Sequence, residues 1–318
     1  MRGERSARHT ALKLALAALA SCAYGVPRQA GPREPPPHVL VVGFEQVALR
    51  TSAWVELHTW LAAAARAAEP IGDPELDVAA KRYAGPLAED DGDQLLARTT
   101  HALAACEDAR CARAAIAGTP FAEAYGAALP TFLSRHWTDR AATARGGIEV
   151  ARAAVGPEVE PLVAKLAHDL AIEWPLSPPV VDLVGDAPEA GREAPIRVVL
   201  GARTSCFKAQ PNETERVHDA RIVDCLLAYA AAGLRSKSAL AAALVGERGN
   251  HAWIALVVHA VAVVVTGWEP KHASVLRRSA LAVMPKAMTW LAAEWPSRMR
   301  GEPPADFARR YVAALEEP

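Results

Sequence analysis

Cys22 is the cysteine with the most informative neighbours. It closes the run Leu19-Ala20-Ser21-Cys22, an aliphatic residue and two small ones ahead of a cysteine. This is the lipobox pattern: small side chains let extended backbone enter the narrow cleft of a signal peptidase, and the cysteine is diacylated. The other four cysteines, Cys106, Cys111, Cys206 and Cys225, form an even set, as expected in a compartment that permits disulfides. Cys106 and Cys111 bracket Glu-Asp-Ala-Arg, close enough for a small bridge at a helix corner. Cys206 and Cys225 flank a polar loop, Lys208 to Arg216, which a bridge would staple. The alternative is four buried free thiols. Zinc is the less attractive use, because neither pair has the Cys-x2-Cys spacing of a structural site.

The histidines are scattered. His251 and His259 fall on one helical segment, with Cα atoms about 12 Å apart at a rise of 1.5 Å per residue, too far to share one metal easily. A histidine on an apolar face is more often a hydrogen-bonded core residue than a ligand. Glu56 and His58 lie two apart and point in different directions on a helix. Asp219 and Asp224 are carboxylates without an obvious companion. The chain has no Gly-x-Gly-x-x-Gly, P-loop, Gly-x-Ser-x-Gly or His-Glu-x-x-His motif, so the common phosphate, acyl-transfer and zincin signatures are absent.

The elements that would position these residues are mostly helical. Trp54, Leu57, Trp60, Leu61 and Ala64 recur at three- and four-residue intervals and predict a helix over 52–67. Further helices are expected over 76–88, 93–105, 109–116, 119–138 with a kink or break at Pro130, 139–155 and 158–172, where Gly, Pro and Asp mark the ends. More follow over 216–233, 236–245, 251–266, 273–295 and 305–315. The β-branched runs 38–44, 180–184 and 196–200 predict a small sheet. The run 252–265 is apolar on every side and carries His259; it reads as a buried central helix, too short to span a membrane. The expected fold is mainly α (α+β), a multi-helix domain with a small β-sheet.

Ahead of that domain, Arg2, Arg5 and Arg8 give a basic start and residues 11–20 a short apolar stretch, the make-up of a cleaved signal. The reading is a signal peptide over 1–21, a Pro/Gly-rich tether over 22–37 that lifts the domain off a bilayer, and one helix-rich domain over 38–318. Stable anchoring takes two or more acyl chains, and a processed lipoprotein carries three. The rivals are ordinary cleavage near Ala18-Leu19-Ala20, giving a free secreted protein, and an uncleaved N-terminus. With 35 basic and 36 acidic residues the chain is nearly neutral, which argues against nucleic acid as a partner.

Several landmarks occur in a suggestive order: Leu57-His58, His136-Trp137, Trp174-Pro175 before Val181-Asp182, His251 before Ala252-Trp253, and Trp295 with Gly301 before a last helix. Together they resemble a bacterial family of exported proteins, common in myxobacteria, that carries a zinc-peptidase-like His-Glu-x-x-His helix. The resemblance spreads over most of residues 40–315. It implies that the motif falls on the helix before His251, on Ala228, Tyr229, Ala230, Ala231 and Ala232. Ala228 and Ala232 would stand at the two ligand positions and Tyr229 at the general base. Such a motif works because histidines at i and i+4 share a face beside a metal-bound water, and alanine has no ligand atom.

Three functions are therefore expected to compete: a lipid-anchored binding or scaffold protein with no catalytic residue, metal or other cofactor; a metal-dependent hydrolase using His58, His136, His251 or His259; and a structural envelope lipoprotein. The expected partners are a membrane, through the lipid, and a protein or peptide. The expected location is the cell envelope, at the outer membrane of a Gram-negative bacterium. A cleft lined by Tyr229, His251 and His58 would favour the first.

Overall fold

The computed structural model describes residues 37, 39–43, 47–176, 178–184, 199–201, 206–207 and 209–316. The expected signal peptide, the expected lipidation site Cys22 and nearly all of the expected tether lie outside them, as does most of the expected 196–200 strand. The chain divides into Met1–Pro35 and Pro36–Pro318, close to the expected start of the domain.

The domain is mainly helical with a small sheet. Strands β1 (Val39–Gly43) and β2 (Ala48–Ser52) pair antiparallel; β3 (Val180–Val184) and β4 (Val199–Gly201) extend the sheet with parallel pairings in the order β1-β2-β3-β4. β2 was not expected, because Ala48-Leu-Arg-Thr-Ser52 is short and lacks an apolar run. It is held by partners on both sides, and a charge fixes its register. Arg50 stands opposite Asp182 and donates to both carboxylate oxygens at 2.6 and 2.8 Å, the bidentate geometry of strong pairs. Asp182 is buried, and burial pushes its carboxyl up against the opposing pull of Arg50.

Parallel strands need a long crossover. Between β2 and β3 it consists of α1 (Ala53–Ala67), α2 (Pro74–Ala88), α3 (Gly92–Ala104), α4 (Ala109–Ile116), α5 (Ala122–Thr131), α6 (Trp137–Ala154) and α7 (Val159–Asp169). Of the kink or break expected at Pro130, no break occurs. The proline lies one residue before the end of α5, and a π-helical turn over Phe132–His136 carries the path into α6. Proline cannot donate the backbone bond an α-helix requires, and wider turns of this kind absorb such a defect.

After the sheet come α8 (Glu215–Gly233), α9 (Gly246–Trp268), α10 (Val275–Val283), α11 (Pro285–Met299) and α12 (Pro304–Glu316). The expected 236–245 helix is instead two short 3-10 turns, Arg235–Lys237 and Ala241–Ala243. The expected 273–295 helix is two helices meeting at Met284-Pro285, where Pro285 opens α11 at a position that needs no N–H. α9 is also longer than expected. Its Gly249–Trp268 part is long and apolar enough to cross a membrane, yet two-thirds of its hydropathy window (67%) is buried inside the domain. That burial agrees with a core helix.

Two cores result. One gathers Trp54, Leu57, Tyr83, Phe121, Tyr125 and Phe132 from α1, α2 and the α5 region. The other surrounds α8 and α9 and takes in Leu49, Val181 and Leu183 from the sheet. Strand alternation sends Val181 and Leu183 to the second core, while Val184 joins the first.

All four cysteines of the domain are paired. Cys106–Cys111 joins the end of α3 to α4, and Cys206–Cys225 ties the segment after β4 to α8, with Cα separations of 5.3 and 6.1 Å. Loop-closure entropy makes the longer loop the more valuable link. Replacing Cys206 and Cys225 together by Ala is expected to lower stability by about 3 kcal/mol, and replacing Cys106 and Cys111 by about 2 kcal/mol. Urea denaturation of the two double variants measures the order directly.

Candidate functional site

The residues singled out by sequence do not meet at one point. His58, on α1, is fully buried in the first core. Its Nδ1 lies 3.0 Å from the Tyr83 hydroxyl, and its ring meets Tyr83, Phe121 and Tyr125 edge-on. Burial pushes its pKa down to about 3, with a backbone contact at Leu96 acting the other way. His136 ends the π turn, with Nε2 3.1 Å from Asp73 Oδ2 and its ring against Trp60. Asp73 caps α2 by accepting from Glu75 N–H, and also binds Arg135. Its carboxyl sits below its ordinary range, chiefly through His136.

His251 is exposed near the start of α9. His259, two turns on, is buried in the second core, edge-on to Trp295. Burial, helped by the charge of Arg277, pushes its pKa down to about 4. His58 and His259 thus belong to different cores. Among the described residues, no group of three or more His, Cys, Asp or Glu is arranged to hold a metal ion.

The helix face of Ala228 to Ala232 is packed. Residues Ala220 to Ala231 of α8 are buried without interruption, and α8 lies along α9. Ala228 and Ala231 have no exposed surface. Trp253 of α9 donates its indole N–H to the Ala232 carbonyl at 3.0 Å. Tyr229 is buried too, and burial pushes its hydroxyl up to about 12. Tyr229 and His58 belong to separate cores, so they do not line one cleft.

A polar cluster that sequence did not assemble lies one turn earlier on α8. Asp224 is almost completely buried. It accepts a hydrogen bond from Ser274 Oγ at 2.7 Å, and His272 Nε2 is 3.4 Å away. Ser274 is also the cap of α10, accepting from Arg277 N–H at 3.1 Å. Aspartate, histidine and serine together invite comparison with a nucleophilic triad, but the order differs. In a triad the imidazole stands between hydroxyl and carboxylate and takes the hydroxyl proton. Here the hydroxyl donates to the carboxylate directly, and its oxygen is occupied in capping the helix. The arrangement joins α8 to α10 and does not activate Ser274. The sequence signal was half legible: Asp224 is a carboxylate inside an apolar helix, which demands a partner. The partner lies some fifty positions later, at a spacing no motif encodes.

One turn before Asp224 stands a second buried charge. Arg221 donates to both oxygens of Glu213, at 3.1 and 2.6 Å, beside His218. Burial alone would raise the Glu213 carboxyl, but Arg221 and the Gln210 amide take it below its ordinary value.

No family model, no curated protein and no solved structure matches this chain.

His58 and His259 have pKa values depressed below that of an unfolded histidine. Their stabilising contribution is therefore full above about pH 6.5 and lost as pH falls toward 4 for His259 and 3 for His58. Each contributes a slope of up to about 1.4 kcal/mol per pH unit. His58→Gln keeps a hydrogen-bonding group beside Tyr83 but cannot titrate. Its unfolding free energy is expected to fall less steeply than that of the wild type between pH 6.5 and 4; equal slopes would contradict a neutral His58.

Proposed function

We propose that this chain is an exported lipoprotein whose helical domain serves as a non-catalytic binding or scaffold module in the cell envelope. The observation that carries the reading is the state of its cysteines. Of the five in the sequence, four form two disulfides within the domain, which suits an oxidising compartment outside the cytoplasm. The fifth is Cys22, in the lipobox setting Leu19-Ala20-Ser21-Cys22. A signal peptide over 1–21 and a tether over 22–37 complete the reading, with the outer membrane of a Gram-negative bacterium as the destination.

The non-catalytic half rests on the resemblance to zinc-peptidase-like exported proteins. On that resemblance Ala228 and Ala232 would take the ligand positions; Ala228 is buried in the packing of α8 and Ala232 partly so. Supporting it, three of the four histidines named for another site are spent elsewhere: His58 and His259 in separate cores, and His136 on Asp73.

The test is metabolic labelling with radioactive palmitate in a Gram-negative host. The wild-type chain is expected to take up label and sediment with membranes, while Cys22→Ser takes up none and is recovered in the soluble fraction. An unlabelled wild type, or label retained by Cys22→Ser, would overturn the lipoprotein reading. Stoichiometric zinc in the purified protein would overturn the non-catalytic one.

A further inference from the structure

We infer that Cys106–Cys111 is a thiol-exchange site, opened in the folded protein by a dithiol that attacks Cys111, while Cys206–Cys225 stays closed. The two bonds differ first in access. Exchange requires an attacking thiolate to reach one sulfur of the bond. Cys206 and Cys225 are 3% and 0% exposed and lie inside the second core. Cys111 is exposed, whereas its partner Cys106 is 1% exposed. The bond between α3 and α4 therefore offers one approachable end and one shielded end.

The surface around that end is open. Glu107, Asp108, Arg110, Arg113 and Ala114 are all exposed. The corner is thus accessible to the active site of another protein as well as to a small dithiol.

The fold is also able to survive the opening. α4 keeps its own cap, Asp108 Oδ1, which accepts from the Cys111 N–H at 2.8 Å. It keeps its own anchors as well, Ala112 and Ile116, both buried in the first core. Leu103 holds the end of α3 in the same core. None of these contacts runs through the sulfurs, so breaking the bond leaves them in place.

Both sulfurs are provided for once they are free. Cys106 Sγ lies 3.5 Å from the Ala102 carbonyl oxygen. A disulfide sulfur has no proton to give there, but a Cys106 thiol can donate to it. Cys111 is the third residue of α4, in the turn where the helix dipole stabilises negative charge.

The chemistry is a balanced exchange. A thiolate of the dithiol bonds to Cys111 Sγ as the Cys106–Cys111 bond breaks. The electron pair leaves on Cys106 Sγ, which takes up the proton that the attacking thiol gave up. The second thiol of the reagent then attacks its own partner sulfur in the mixed disulfide and releases Cys111 as a thiolate. The dithiol is oxidised to a disulfide and the two cysteines are reduced. The inference goes beyond the lipoprotein reading and does not depend on it.

The test treats the folded full chain, in non-ionic detergent, with dithiothreitol or with reduced thioredoxin. Free thiols are trapped with N-ethylmaleimide and located by peptide mass spectrometry, and circular dichroism follows the helices. Cys106 and Cys111 are expected to take up label at least tenfold faster than Cys206 and Cys225, with the helical signal unchanged. Opening by reduced thioredoxin assigns the site to a protein dithiol, and opening by dithiothreitol alone assigns it to a small one. Equal rates for the two bonds, or labelling only as the helical signal is lost, would overturn the site. Glutathione disulfide tests which sulfur is entered. Cys106→Ser is expected to carry glutathione on Cys111, while Cys111→Ser leaves Cys106 unmodified. Glutathione on Cys106 in a folded Cys111→Ser would overturn the assignment to Cys111.

Discussion

A helix apolar on every side must find cover on every side, and α9 imposes that constraint on this domain. Its segment from Ala255 to Ala262 is buried without a break, so no single partner suffices. α7, α8, α10 and α11 all pack against it, and Tyr311 of α12 donates its hydroxyl proton to the Ala252 carbonyl at 3.2 Å. The hydrophobic effect supplies the drive and has no direction. Direction comes from a few polar contacts that α9 and its neighbours make at fixed points, such as the Trp253 indole on the Ala232 carbonyl.

Enclosing α9 also buries α8, and with it two charges. Arg221 and Asp224 lie three residues apart, and each is satisfied by a group outside the helix: Glu213 for the first, Ser274 with His272 for the second. A broken buried pair leaves an uncompensated charge, so these contacts define where the incoming loop and α10 sit on α8. Arg50 and Asp182 do the same between β2 and β3, where a register shift of one residue would turn every side chain to the opposite face. In the first core, Arg140 of α6 reaches the fully buried Glu56 of α1 and lies over the Trp60 ring. Apolar burial assembles the helices, and paired charges select one arrangement of them.

How much of this the chain announces depends on range. α1, α4 and α12 follow from local periodicity and caps, and their ends fall within a residue or two of expectation. β3 is legible because Val-Val-Asp-Leu-Val is a β-branched run between prolines and a turn. β2 is not, since Ala48 to Ser52 becomes a strand through pairings on both sides. The 236–245 region misled for the opposite reason: its alanines and leucines favour helix, while the backbone follows 3-10 turns that bring Ser238 to the Leu170 carbonyl. The disulfide pairs were legible from spacing. The cluster of Asp224, His272 and Ser274 was not, because α9 and the 3-10 turns separate its members in sequence and only the wrapping of α9 brings them together.

The same packing gives a physical account of the alanines on α8. Ala228, Ala230 and Ala231 are small enough for α8 to lie against α9 while a run of valines and Leu256 on α9 stays buried. The positions that the resemblance would give to histidines carry side chains that permit this close approach. A histidine at Ala228, which has no exposed surface, would need space that the interior does not offer and a hydrogen-bond partner for each ring nitrogen, and overpacking of this kind destabilises a core. Histidines at Ala228 and Ala232 would therefore demand that α8 repack against α9.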